Sequence, residues 1–235
     1  MKRFKLAINL WFSVLALVLV ILFVCLGCWQ LKRAGQKQAL LDAFAGNQQL
    51  AALTSVASVK PADRYRSIQL QGHFDNAHSF LLDNQSHKGQ LGYQVLTPFI
   101  IQGNKALVLV NRGWVPMGAS RQQLPRILPA PAKNIRISGL VNFYPRKTFE
   151  LKNTENKQWP RLLQQLNFAR IQAALTQPVA PTIVLLAANQ RYGFQRDWQM
   201  ATVKPARHQG YAVQWFALAL MSLIGLVIVS VKRLK

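Results

Sequence analysis

The sequence is poor in acidic residues, cysteine and histidine, which narrows the chemistry that it can support. Of 235 residues only 7 are Asp or Glu, 2 are Cys and 4 are His. The carboxylates are scattered, without the paired spacing typical of acid/base catalysis. The sequence also lacks a phosphate-binding glycine loop, a Gly-x-Ser-x-Gly nucleophile elbow and a zinc signature. We therefore expect a protein that is not an enzyme and has no catalytic residues.

The two cysteines, Cys25 and Cys28, both lie in the first apolar segment, so the remainder of the chain is predicted to fold without disulfides. Residues three apart share a helix face, which leaves a redox or metal role as one alternative. Two thiols without a third ligand make a poor metal site, so we favour small apolar residues on a helix. Signal-peptide cleavage and lipidation of Cys28 are further alternatives, disfavoured by the long apolar run and by the residue type at position 25.

Long apolar segments lie at the two ends of the chain, at residues 6–28 and 210–231. Each has about the ~20 residues needed to cross a bilayer core. Residues 1–5 and 232–235 carry three basic residues each, and the positive-inside rule places such short flanks in the cytoplasm. The pattern predicts two transmembrane helices and, between them, an exported domain at residues 29–209. We expect a multi-pass protein of the bacterial inner (plasma) membrane, with its main domain in the periplasm.

Basic residues are in large excess, with 29 Lys and Arg in all, but they do not form a stripe. A nucleic-acid-binding protein would concentrate them on one face, so we expect no nucleic-acid partner. The excess favours attraction to anionic lipid headgroups of the bilayer or to an acidic protein partner. A solvated basic surface is an equal alternative.

The central region predicts an α+β fold, in which a β-rich domain with at least one helix is flanked by the two transmembrane helices. Hydrophobicity alternates with a period of two at residues 68–74 and 135–143, as in half-buried strands. Apolar runs at 92–101 and 106–114 predict a hairpin, and further strands are expected at 80–82 and 182–188. The first helix is expected to continue until Gly46-Asn47. Pro160 is expected to open a helix over residues 162–175 that Pro178 and Pro181 close, and residues 51–62 and 191–207 are expected to be connectors.

Three of the four histidines, His73, His78 and His87, lie close along the chain, with Asp75 and Asp83 among them. Their number suggests a metal cluster, but their spacing matches no familiar site. We favour the alternative of solvated histidines near a turn.

His208 is different, because it lies about one helical turn before Tyr211 at the outer end of the second apolar segment. A neutral imidazole at a membrane interface can ligate haem iron while the porphyrin rests among aromatic side chains. The alternative is an interfacial anchor, of the kind that Tyr211 and Trp215 provide.

The segment Asn111-Arg112-Gly113-Trp114 directly follows an apolar strand. Strand alternation predicts that Arg112 and Trp114 point to one face and Asn111 to the other. Arg112 is then a candidate partner for a haem propionate or an acidic protein. We favour the alternative in which Arg112 satisfies buried carbonyls and Trp114 fills the core.

Taken in order, the motifs of this chain resemble those of the surfeit locus protein 1 family of cytochrome c oxidase assembly factors. The motifs are Gly27-x-Trp29-Gln30-x-x-Arg33, Tyr65-Arg66 with Gly72-x-Phe74, Gly92-Tyr93-x-x-x-Thr97-Pro98, Val108-Leu109-Val110-Asn111-Arg112-Gly113-Trp114-Val115-Pro116 and His208-x-x-Tyr211-Ala212-x-Gln214-Trp215-Phe216. The resemblance covers nearly the whole chain.

The resemblance implies an assembly factor for haem-copper cytochrome c oxidase that assists insertion of haem a into subunit I. It implies that His208 is the iron ligand. Beside it, we expect Trp29, Tyr211, Trp215 and Arg112 as further haem a contacts. The implied partners are subunit I and the haem a synthesis machinery. Many members carry Asn shortly before the histidine, where this chain has Ala206-Arg207. The alternative function is a haem-independent membrane scaffold that stabilises an oxidase assembly intermediate.

Overall fold

The computed structural model describes residues 4–6, 10–118, 123–144, 158–198 and 204–233. The chain divides into two compact units. The helical unit comprises Met1–Ala43 and Met200–Lys235, and the β unit comprises Phe44–Gln199. The elements in chain order are β1 (Phe4–Leu6), α1 (Leu10–Gln49), β2 (Ser67–Phe74), β3 (Phe80–His87), β4 (Gln90–Ile101), β5 (Leu107–Pro116), β6 (Ile135–Asn142), β7 (Arg161–Leu163), α2 (Phe168–Leu175), β8 (Val179–Leu186), α3 (Pro205–Ser230) and β9 (Val231–Arg233).

The helical unit is built on the two long apolar helices, α1 and α3. Both are long and apolar enough to cross a membrane. Their buried residues are all small: Ala16, Gly27 and Ala34 in α1, and Ala212 and Ala219 in α3. Small residues let helix backbones approach closely, while the large apolar side chains remain on the outside. The short strands β1 and β9 pair antiparallel.

The predicted end of the first helix at Gly46-Asn47 is wrong, because α1 continues to Gln49. At about 1.5 Å per residue, its 40 residues extend for roughly 60 Å, about twice a bilayer core. The expected continuation of the first helix beyond an apolar span is confirmed. The Asn47 amide donates to the carbonyls of Ala62 and Arg64, so it stabilises the connector that follows the helix.

The β unit is a seven-stranded sheet in the order β2-β6-β8-β5-β4-β3-β7. An additional pairing of β2 with the end of β4 closes five of these strands into a barrel-like circuit. The alternating residues of β2 that the sequence predicted to be buried, Ile68, Leu70 and Phe74, are at most 2% exposed and belong to one core cluster. The predicted hairpin is confirmed as β4 and β5, which pair antiparallel over eight residue pairs. The predicted strands at 68–74, 80–82, 135–143 and 182–188 are also found, as β2, β3, β6 and β8.

The helix predicted from Pro160 begins later than expected. Arg161–Leu163 forms β7, which pairs in parallel with β3 and so continues the sheet. Helix α2 begins only after Asn167, whose side chain accepts a hydrogen bond from the backbone N–H of Arg170. Its buried residues, Ile171 and Leu175, belong to a second core cluster, which also contains Phe80, Leu109 and Ile183. The helical period in the sequence therefore identified α2 but not its start, because residues 161–163 pair with β3 and form a strand.

Pro181 does not close a helix, because it lies inside β8. The connector predicted at residues 191–207 is also shorter than expected, since α3 already begins at Pro205. Within the described part of this connector, Gln195 forms an isolated bridge to Trp114, near the end of β5. The connector predicted at residues 51–62 is irregular apart from a bridge at Leu53 and a single helical turn that begins at Pro61.

Candidate functional site

The candidate site lies in the helical unit, where His208 in the first turn of α3 meets Gln30 of α1. Nδ1 of His208 lies 2.7 Å from Oε1 of Gln30. Both residues are half-buried, and 178 positions separate them along the chain. The first and the last of the sequence motifs, residues 27–33 and 208–216, therefore form one site.

The Gln30 contact determines which nitrogen of His208 carries the proton. An amide oxygen can only accept a hydrogen bond, so Nδ1 must donate to it. In a neutral imidazole the other nitrogen, Nε2, then keeps its lone pair and can coordinate a metal. Metal-binding histidines in proteins are commonly oriented by such a hydrogen bond from the second nitrogen. This site is therefore suited to coordinate iron through one histidine, His208.

Farther along the two helices from this pair, aromatic side chains pack between α1 and α3. The rings of Phe23 and Trp215 stack with their centroids 5.7 Å apart. One turn farther along α1, the ring of Phe216 occupies the space above Gly27, and a Cβ at that position would lie 2.6 Å from the ring. A Cβ at position 27 would therefore force the Phe216 ring to shift, and glycine allows the present packing.

Two residues that were predicted to contact haem a, Trp29 and Tyr211, lie on the outside of the helical unit. They are 49% and 43% exposed. The guanidinium of Arg33 lies over the indole of Trp29, 5.6 Å from the ring centroid. Exposed aromatic rings with one polar edge are typical of a membrane interface.

The sequence analysis included Gln30 in the first motif but assigned it no role. Its contact with His208 spans 178 residues, and such a distant contact leaves no local signal in the sequence.

Arg112 lies in the β unit and is only 1% exposed. Its guanidinium donates to the backbone carbonyls of Tyr192, at 2.7 Å, and Leu128, at 2.8 Å, and it packs against the rings of Phe74 and Phe194. Burial, reinforced by the positive charge of Arg196, lowers the pKa of Arg112 to about 10, so the side chain stays charged at neutral pH. These contacts agree with the alternative in which Arg112 satisfies carbonyls. A propionate contact stays a prediction, and it would require the buried guanidinium to become accessible.

The predicted directions of the Asn111-Arg112-Gly113-Trp114 side chains are wrong in one respect. Leu96 pairs with Asn111 and Gln94 pairs with Trp114, so Asn111 and Trp114 share a face and Arg112 points to the other. The cause is a β-bulge, because the register shifts at this point and Gly113 has a positive φ of 116°. The carbonyl of Gln195 lies 2.6 Å from where a Cβ of Gly113 would be, so only glycine fits. Trp114 is buried, as the favoured alternative expected.

The other three histidines, His73, His78 and His87, lie in the β unit. Within the described residues, no group of three or more His, Cys, Asp or Glu side chains could hold a metal ion. His78 contacts Asp75 through Nδ1 at 2.6 Å, and the ring of His87 lies beside Trp114. Both Cys25 and Cys28 are free and exposed on α1.

A family model described as the SURF1 family matches residues 17–220 of the chain. A SURF1-like protein of Drosophila melanogaster is 32% identical over 42% of this chain and 38% of its own length. A SURF1-like protein of Rickettsia bellii is 31% identical over 42% of this chain and 41% of its own length. The cytochrome oxidase assembly protein SHY1 of Saccharomyces cerevisiae is 30% identical over 38% of this chain and 24% of its own length. The chain thus matches less than half the length of each of these relatives.

Proposed function

The chain belongs to the SURF1 family, and we propose that it is a membrane-embedded assembly factor for cytochrome oxidase. The name of the yeast relative supports the oxidase as the target. The observation that carries the proposal is the Gln30–His208 contact, which joins the two motifs nearest the membrane into one site. The family match extends over both halves of this site.

We propose that α1 and α3 cross the bacterial inner membrane and hold the β unit in the periplasm. The length and apolar composition of the two helices support spanning, and the basic residues at both termini support a cytoplasmic position for the chain ends. Reporter fusions at Lys235 and at Asn104, in the β4–β5 turn, test this orientation. A cytoplasmic signal at Asn104 would contradict it.

We further propose that the factor assists insertion of haem a into subunit I of a haem-copper cytochrome c oxidase. Nε2 of His208 would hold the iron, and Trp29, Tyr211 and Trp215 would offer apolar surface to the porphyrin. Haem a, when bound, supplies an iron centre that accepts an axial imidazole. The role of Gln30 is to keep the proton on Nδ1, so that Nε2 remains free.

The haem function can be separated from a haem-independent scaffold by examining subunit I in a strain that lacks this protein. If the protein assists haem insertion, subunit I accumulates in the membrane with a reduced haem a content. A scaffold that stabilises an assembly intermediate predicts instead that subunit I itself is lost, with normal haem a in whatever remains. The measurement is the ratio of extracted haem a to immunodetected subunit I, and re-expression of the intact chain is the control.

A further inference from the structure

Five basic residues cluster where the apolar parts of α1 and α3 end. Residues 10–31 of α1 carry no charged side chain, and Lys32, Arg33 and Lys37 then follow within two turns. Lys204 directly precedes α3, and Arg207 lies in its first turn, next to His208. Residues 209–230 contain no Lys, Arg, Asp or Glu. We call these five residues the basic collar.

The Gln30–His208 contact brings the two halves of the collar to one level. Gln30 contacts His208 and Phe23 stacks on Trp215, so the helices run in opposite directions here. Residues after Gln30 and residues before His208 therefore extend to the same side. Arg33 lies three residues beyond Gln30, about 4.5 Å along the helix axis. Arg207 is adjacent to His208. The collar therefore lies near the boundary between the apolar and the polar side chains of the two helices.

The charges of the collar have no counterpart within the described part of the chain. Lys32, Arg33, Lys204 and Arg207 are exposed and Lys37 is half-buried. None of them forms an ion pair with a described carboxylate. The two helices contain no acidic residue between positions 10 and 41 or between 204 and 230. The collar can therefore attract an anion, such as a phosphate group, from its surroundings.

We propose that the basic collar binds the phosphate headgroups of anionic phospholipids in the outer leaflet of the membrane. The inference rests on the proposal that α1 and α3 span the bilayer. An apolar helix surface that ends in exposed aromatic and basic side chains matches the layering of a bilayer, in which the phosphates lie just outside the hydrocarbon core. The contact of Arg33 with the exposed Trp29 ring holds a guanidinium at this level. An acidic protein partner would not need the aromatic rings at the boundary.

The test is to reconstitute the full chain into phosphatidylcholine bilayers with spin-labelled phosphatidylglycerol or spin-labelled phosphatidylcholine. Electron paramagnetic resonance measures the fraction of each label that the protein immobilises. The variant Lys32→Gln/Arg33→Gln/Arg207→Gln should lower the preference for phosphatidylglycerol by about twofold or more, and added salt should weaken it in the unmodified chain. The control Lys105→Gln/Arg126→Gln/Arg136→Gln removes the same charge from exposed positions of the β unit and should keep the preference.

The outcomes separate this inference from the proposal of spanning helices. Since basic residues at the chain ends also attract phosphatidylglycerol, the decisive comparison is between the two triple variants. If both triple variants show the same preference for phosphatidylglycerol, the proposal that the collar binds anionic lipid is wrong. It is also wrong if the unmodified chain immobilises both labels equally. If neither label is immobilised, the helices do not span the bilayer, and the membrane proposal falls together with the inference.

Discussion

Replacing Arg112 with Met tests whether this arginine supports the fold or contacts haem. The guanidinium donates to the carbonyls of Tyr192 and Leu128 across the bulge in β5. Losing two charge-assisted hydrogen bonds costs roughly 1.5–3 kcal/mol each, and relief from burying a charge offsets part of this. We expect a net loss of about 3 kcal/mol in the free energy of unfolding. These hydrogen bonds hold the segments around residues 128 and 192 against β5, so losing them should loosen both segments.

The assay is equilibrium urea unfolding of the detergent-solubilised full chain, followed by far-ultraviolet circular dichroism. With a slope of ~2 kcal/mol/M, the midpoint should fall by roughly 1.5 M. Arg126→Met is the matched control, because Arg126 is exposed, and its midpoint should be unchanged. If Arg112→Met keeps the normal midpoint and yet weakens haem a binding, the structural role is refuted and the propionate role is supported.

Two further predictions concern the helical unit. Replacing Gln30 with Leu removes the acceptor for Nδ1 of His208, so haem a should bind roughly 10–100-fold more weakly in a spectroscopic titration. The control Gln209→Leu should bind normally, and equal affinities would show that Gln30 has no orienting role. Gly27→Ala should lower the thermal midpoint because its Cβ meets an aromatic ring, whereas Gly35→Ala, where a Cβ would have nothing within 4 Å, should raise it. Two equal midpoints would contradict the tight packing at Gly27.

Local periodicity was sufficient to predict most elements of the β unit. The strands β2 and β6 have alternating patterns, and the β4–β5 hairpin has a short polar turn between two apolar runs. Pairings between distant segments could not be read in the same way. The strand β7 has only three residues and exists because it pairs with β3, and the contact that closes the circuit joins the ends of β2 and β4.

The candidate site was predictable only in part, for the same reason. His208 could be identified from its position before Tyr211 and from the family resemblance. Its partner Gln30 could not, because only the packing of α1 against α3 brings them together. The direction of Trp114 was mispredicted, since strict alternation fails at a bulge that Gly113 makes possible.

The most direct test of the central claim is the absorbance spectrum of the full chain, purified in detergent from cells that make haem a. The intact chain and the control variant His87→Ala should copurify with haem a and show the same bands. In His208→Ala the iron loses its imidazole ligand, so haem a should be absent or should show shifted bands. If His208→Ala retains haem a in equal yield with an unchanged spectrum, His208 is not the ligand, and the haem-independent scaffold becomes the better account of this protein.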